Sequence, residues 1–218
     1  MPLLDRRTLL ALAAVLPTAF ALPAAGQETE AAPETETEDR KVVGDVILGD
    51  PNAPVTVIEY ASFTCPHCAS FHVRTLPEVK ANYIDTGQVQ FILREVYFDP
   101  FGLWASMIAR CGGEEAFYPI ADQLLEKQRE WTAKVEDPEA VAEDLRKIGR
   151  LNGLSSAESK ACLEDRPFAE ALIADYQENS AADNIRSTPS FVINGELHTG
   201  DMRYDEFSAL LDRYLEGI

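Results

Sequence analysis

The stretch Val55-Thr56-Val57-Ile58-Glu59-Tyr60-Ala61-Ser62-Phe63-Thr64-Cys65-Pro66-His67-Cys68 decides how this chain is read. Its first six residues are β-rich apart from Glu59 and follow the turn chemistry of Gly49-Asp50-Pro51-Asn52-Ala53-Pro54, which predicts a central strand. Phe71, Leu76, Val79 and Tyr83 then recur at helical spacing. A strand running into a helix here places Cys65 at the helix N-terminus, where unpaired backbone N–H groups and the macrodipole favour a thiolate over a thiol. Cys68 follows one turn along, close enough to resolve a mixed disulfide formed at Cys65. Pro66 suits the first helical position, where its missing N–H costs nothing, and His67 can add positive charge or a donor near the Cys65 sulfur. The spacing predicts a redox pair with a thiolate pKa in the ~3.5 to 7.5 range of such motifs.

Other uses of two cysteines fit less well. Haem attachment needs His directly after the second cysteine, and Ala69 stands there. A closed zinc site needs four ligands, whereas Cys65, Cys68 and His72 supply three. A copper- or zinc-carrying chaperone built on those three residues is the competing function from a different class. Methionine clusters would support copper, and the chain has three methionines, Met1 among them. No metal and no cofactor is expected.

Glu59 stands six residues before Cys65 on a strand expected to be buried on both faces. Desolvation there raises a carboxyl pKa and lets the group exchange a proton with Cys68. The alternative is a glutamate at an exposed strand end or paired to a lysine.

With 218 residues the chain has room for one domain, or one domain with a sizeable insertion. Its net charge of −18 argues against a nucleic-acid or anionic-membrane surface role. Residues 1–26 look like a cleaved export signal: Arg6 and Arg7 precede the apolar run Leu9 to Leu16, and small residues follow, with cleavage after Ala21 or Gly26. The arginine pair also resembles a twin-arginine signal, with general secretion as the other route. Residues 27–41, rich in glutamate among Ala, Thr and Pro33, read as an acidic disordered linker. An exported protein works where disulfides persist, so a periplasmic location is expected.

Structure is expected over residues 42–218. A short strand signal runs through Val42 to Leu48, then the central strand, then a helix from about Pro66 to Ile84 that Pro77 should kink. Val89 to Arg94 reads as the next strand, parallel to the first through a right-handed crossover. Helical signals follow without a convincing strand: Leu103 to Cys111, Glu114 to Glu130, Glu139 to Gly149, a capping box at Ser155 to Glu158, and Pro167 to about Ala182. This predicts an all-helical insertion at about 101–183, with Trp104, Phe117, Tyr118 and Trp131 in its core. Thr188 to Ile193, the turn Asn194-Gly195 and Glu196 to Gly200 form a hairpin signal, and an amphipathic helix from about Tyr204 to Tyr214 closes the chain.

The strand leading to Cys65-Pro66-His67-Cys68, Glu59 before it, the helical insertion, and Thr188-Pro189 ahead of an Asn-Gly hairpin together resemble the DsbA-like thiol–disulfide oxidoreductases over about residues 42–218. The resemblance implies an α/β fold, a thioredoxin-like mixed sheet with an inserted all-helical lobe. It implies that Pro189 is cis and faces the cysteine pair, so that the Thr188 backbone holds an incoming peptide strand. Pro66-His67 is also the dipeptide of the strongly oxidising members.

The function so implied is a periplasmic dithiol oxidase. The Cys65–Cys68 disulfide passes to reduced, unfolded secreted proteins, and a quinone-linked membrane partner restores it. Cys65 is the nucleophile, Cys68 the resolver, His67 the thiolate stabiliser, Glu59 the proton relay, and Thr188 and Pro189 the substrate clamp. A monomer is expected, since residues 27–41 are too short and repulsive for an oligomerisation helix. A disulfide isomerase or reductase on the same fold is the nearest rival. Cys111 and Cys162 depart from the two-cysteine pattern of the family. They are expected to form a structural disulfide across the helical lobe, because two free thiols in an exported oxidant would risk scrambling; two separate buried cysteines are the alternative.

Overall fold

A mixed five-stranded sheet lies at the centre of the computed structural model, which describes residues 41–217. The expected export signal and all of the acidic linker but Lys41 lie outside the described residues. In chain order the elements are β1 (Ile47–Leu48), β2 (Val55–Ala61), α1 (Pro66–Arg74), α2 (Leu76–Val79), a π-helical turn (Lys80–Ile84) and β3 (Val89–Glu95). Six helices follow: α3 (Pro100–Cys111), α4 (Glu114–Glu126), α5 (Gln128–Thr132), α6 (Pro138–Leu151), α7 (Ser156–Glu164) and α8 (Arg166–Ala182). The chain ends in β4 (Ser190–Ile193), β5 (Glu196–Thr199) and α9 (Tyr204–Glu216). The strand order is β1-β3-β2-β4-β5, with β2 and β3 parallel and the other neighbours antiparallel. This is the expected fold class: a thioredoxin-like mixed sheet with helical insertion.

The side chains of β2 alternate between two cores, because successive residues of a strand face opposite ways. Val57, Ala61, Phe71, Phe191 and Phe207 belong to the main one, where the Phe71 ring lies 4.7 Å from Phe191 and 5.2 Å from Phe207. Tyr60 and Val192 face the other way, against Tyr176 of α8 and Ile185. Both α1 and α9 therefore pack on the sheet face that carries Glu59. No described helix is long and apolar enough to cross a membrane.

Three elements differ from expectation. The strand over Val42 to Leu48 shrinks to two residues, because Gly44 takes a left-handed φ of 96° and Arg110 engages this backbone instead of a strand, donating to the Gly44 carbonyl at 2.6 Å. The helix from Pro66 carries the interruption expected of Pro77 but goes further than a kink, breaking at Thr75 into two helices. Pro77 has no N–H and its ring opposes the Val73 carbonyl, while the Thr75 hydroxyl donates to the Met202 carbonyl at 2.9 Å. The helix expected over Glu114 to Glu130 leaves helical geometry at Lys127 (φ −93°, ψ 11°), which turns Gln128 in a new direction. Of the four aromatic residues expected in the lobe core, Trp104 is only partly buried.

Other local signals act as their chemistry dictates. Asn194 and Gly195 both take positive φ (45° and 89°), as a two-residue hairpin turn requires. The Ser155 side chain caps the Glu158 N–H at 3.1 Å while the Glu158 carboxylate takes the Ser155 N–H at 2.6 Å.

Candidate active site

Cys65 is the N-cap of α1, its backbone extended (φ −83°, ψ 119°), and Pro66 occupies the first turn. Its sulfur is half-buried, whereas Cys68, one turn on, is fully buried. The Cys65 sulfur lies 3.6 Å from the Thr188 carbonyl oxygen, and the Thr188-Pro189 bond is cis. So Cys65, Pro66, Cys68, Thr188 and Pro189, 124 residues apart at the extremes of the sequence reading, meet at one end of the sheet.

The two sulfurs are driven in opposite directions. The Cys68 thiol donates to the Cys65 sulfur and does most to stabilise a thiolate there. Partial burial opposes it, and the Thr188 side chain with the backbone N–H groups of Cys68 and His67 adds to it, bringing the Cys65 pKa down to about 5. Burial pushes the Cys68 thiol well above its ordinary range, helped by its bond to Cys65 and by the negative charge of Glu59. His67 reaches the thiolate through its backbone N–H. Its imidazole is 72% exposed and lies 3.8 Å from an Asp201 carboxylate oxygen.

Glu59 is completely buried, in register between Leu93 of β3 and Phe191 of β4. Its Oε2 lies 2.7 Å from Nε2 of His72, whose side chain is likewise buried. His72, which the sequence offers as a third metal ligand beside Cys65 and Cys68, is thus turned to a carboxylate. Burial by itself would lower its pKa, but the charges of Glu59 and Asp122 outweigh that and raise it to about 9.

Residues with no sequence signature fix the loop that enters the site. The buried Gln128 amide donates to the carbonyls of Phe63 (2.8 Å) and Cys65 (2.9 Å), tying the helical lobe to the approach to α1. Asp99 accepts the Thr64 hydroxyl at 2.5 Å and the N–H groups of Phe101 and Gly102 at 2.9 Å, so one carboxylate caps α3 and holds the loop. The bond to Thr64 spans 35 residues and has no local signal in the sequence. Cys111 at the end of α3 is bonded to Cys162 of α7, with Cα atoms 6.3 Å apart and both residues buried.

A half-exposed thiolate, a buried thiol one turn away and a buried carboxylate behind them suit thiol–disulfide exchange: attack at one sulfur, resolution by the other, and a proton acceptor for the second. A family model described as Thioredoxin matches residues 41–213. A Rickettsia bellii (strain RML369-C) protein provisionally named a protein-disulfide oxidoreductase is 34% identical over 200 residues, 89% of this chain and 74% of its own length. A Rickettsia felis protein of the same provisional name is 35% identical over 173 residues, 79% of this chain, which spans 60% of that relative's length. Among solved structures, Wolbachia pipientis alpha-DsbA1 has a TM-score of 0.72 at 27% identity, covering 84% of this chain and 97% of its own.

Proposed function

Because this chain belongs to the DsbA-like thiol–disulfide oxidoreductases of the thioredoxin fold, we propose that it is an exported dithiol oxidase, donating its Cys65–Cys68 disulfide to reduced, unfolded secreted proteins in the periplasm. The observation that carries this reading is the split between the two sulfurs. A thiolate stabilised at Cys65 favours the reduced form of the pair, which makes the disulfide the easier one to lose, and a low-pKa sulfur is also the better leaving group. A 60 mV change in a two-electron couple corresponds to roughly 2.8 kcal/mol, about one or two charge-assisted hydrogen bonds. Four hydrogen bonds converge on Cys65, from the Cys68 and Thr188 side chains and the Cys68 and His67 backbone, more than such a change requires.

A client thiolate attacks Cys65, the Cys65–Cys68 bond breaks, and Cys68 leaves with the electron pair and takes a proton. A second client thiolate then attacks the client sulfur of the mixed disulfide and expels Cys65 as a thiolate, leaving the client oxidised. Thr188 and Pro189 beside Cys65 are the clamp for the client strand, and Glu59 exchanges the proton with Cys68. A quinone-linked membrane partner reverses the sequence and restores the disulfide. The protein acts as a monomer, and its acidity keeps it off nucleic acid.

The test is the reduction potential of the Cys65–Cys68 pair by equilibration with glutathione, paired with thermal unfolding of both redox forms. The reading expects a potential well above that of structural disulfides, about −300 mV or lower, and a reduced form that melts higher than the oxidised form. An oxidised form that melts higher replaces the oxidase with a reductase or isomerase.

A further inference from the structure

Glu59 and His72 form a buried pair left open at both ends. Oε1 of Glu59 is buried with no hydrogen-bond partner, and so is Nδ1 of His72, while the bond between them joins Oε2 to Nε2 at 2.7 Å. A pair kept only for stability has those positions satisfied, since a buried polar atom without a partner is destabilising. The open ends face useful directions. Cys68 and His72 are one turn apart on α1, so both project from the helix face that meets β2 and Glu59. On the other side, Nδ1 lies 3.7 Å from Oδ1 of Asp122, whose side chain is 63% exposed. Both His72 and Asp122 line an open cavity of about 510 Å³, whose other titratable or charged groups are Tyr118, Lys80 and Glu126.

Exchange chemistry makes a demand on this site that Glu59 cannot meet alone. Each time Cys68 turns from thiol to disulfide sulfur a proton must leave it, and each time it turns back one must return. A solitary Glu59 would pass between charged and neutral in a dry interior, which strongly disfavours the charged form. We propose that His72 and Asp122 form the outer half of a proton-coupled pair with Glu59, so that Glu59 accepts the Cys68 proton while His72 releases another from Nδ1 toward Asp122 and the cavity. The inference rests on the disulfide-exchange reading.

The balance is complete within these groups and the partner disulfide. In the reduced protein Cys68 is a thiol, Glu59 a carboxylate and His72 an imidazolium. On oxidation the Cys68 sulfur bonds to Cys65, the bond from Cys65 to the partner sulfur breaks, and the partner leaves as a thiolate with the electron pair. The Cys68 proton moves to Glu59, and the Nδ1 proton of His72 goes out past Asp122. The pair becomes a neutral acid beside a neutral imidazole, and the buried site has zero net charge in both states. On reduction the Glu59 proton returns to Cys68 and Nδ1 is recharged from the cavity. His72 is thus a positioning residue acting through Glu59.

The measurement is the ionisation of His72 by NMR of the ring nitrogens in the full-length protein, reduced and oxidised, at pH 7. The expected result is an imidazolium in the reduced form and a neutral ring in the oxidised form. An imidazolium in both states overturns the proposal. In stopped-flow resolution of a mixed disulfide at Cys65, His72→Gln should slow the Cys68 step by about 10²-fold, the scale of general acid–base assistance. It should also change the pH profile of that step, as Glu59 loses its cationic partner. An unchanged pH profile sinks the relay. Wild-type NMR needs no variant to fold, and a wild-type protein that fails to oxidise a dithiol client at all breaks the disulfide-exchange reading independently of how His72 behaves.

Discussion

Adjacent strands of the sheet each bury one glutamate, and the two are treated differently. Glu95 of β3 receives both arms of Arg110, at 2.7 and 2.6 Å, and Arg110 spends a further donor on the Gly44 carbonyl and stacks over the Phe117 ring at 4.9 Å. Glu59 of β2 has one oxygen bonded to His72 and the other free. Arginine cannot give up its proton, and its fork fills the carboxylate, so the first pair has a single state. Histidine has a proton to trade and leaves an acceptor open, so the second pair has two. Charge burial alone does not mark a working site; an unfilled acceptor beside a titratable partner does.

The largest expected effect comes from breaking the filled pair. Arg110→Met leaves Glu95 buried and unpaired, for which a loss of about 3–5 kcal/mol is expected by urea unfolding. The resolution rate per folded molecule should not change, since Glu95 touches neither sulfur. A loss below ~1 kcal/mol would mean that Glu95 does not depend on Arg110, and the contrast between the pairs would disappear.

Next to Arg110, Cys111 supplies a second lock on the same helix end. Removing it with Cys162 (Cys111→Ala with Cys162→Ala) frees a loop of 51 residues in the unfolded chain. The chain-entropy argument gives about 4 kcal/mol as the upper figure, and roughly 2–4 kcal/mol is expected. The acid-side alkylation profile of Cys65 should stay where it is. A shifted profile would show that α3 positions the redox pair as well as stabilising the lobe.

Much of this was legible because local chemistry agrees with the fold. Pro66 after Cys65, Asn194-Gly195 and the Ser155–Glu158 box each encode their element within four residues, and the order of strands and helices follows from them. Glu59 could be picked out because a carboxylate inside an apolar run is conspicuous. What sequence could not supply is who meets whom across the chain. Gln128 is one polar residue among many in a helical stretch, and it faces the Phe63 and Cys65 carbonyls only because the backbone turns at Lys127. Its spacing from Cys68, one turn along the same helix face, did make His72 visible, but that spacing suits a metal ligand and a relay equally well. Only Glu59 at 2.7 Å separates the two.

The smallest expected effect sharpens the contrast through pH. The His72 pKa is about 9 in the folded, reduced protein, raised from an ordinary 6.5. A group with a raised folded pKa contributes stability that is fully present below its unfolded pKa and is lost as pH rises through the folded one. Stability should therefore fall between pH ~6.5 and ~9, by at most about 3 kcal/mol for a shift of this size. Cys65 works the other way: its depressed pKa of about 5 gives stability that is present above the ordinary thiol range and lost as pH falls through ~5. The two slopes overlap, so the measurement belongs in Cys65→Ser, which retains the Cys68 thiol and removes the thiolate. Adding Glu59→Gln to that background should flatten the curve across the window, because the main charge holding the imidazolium is gone. Adding Arg110→Met should lower the curve without changing its shape, because the Arg110 guanidinium has its pKa pushed up, outside the window. If Glu59→Gln leaves the slope intact, Asp122 alone sustains the imidazolium and the pairing of Glu59 with His72 loses its energetic basis.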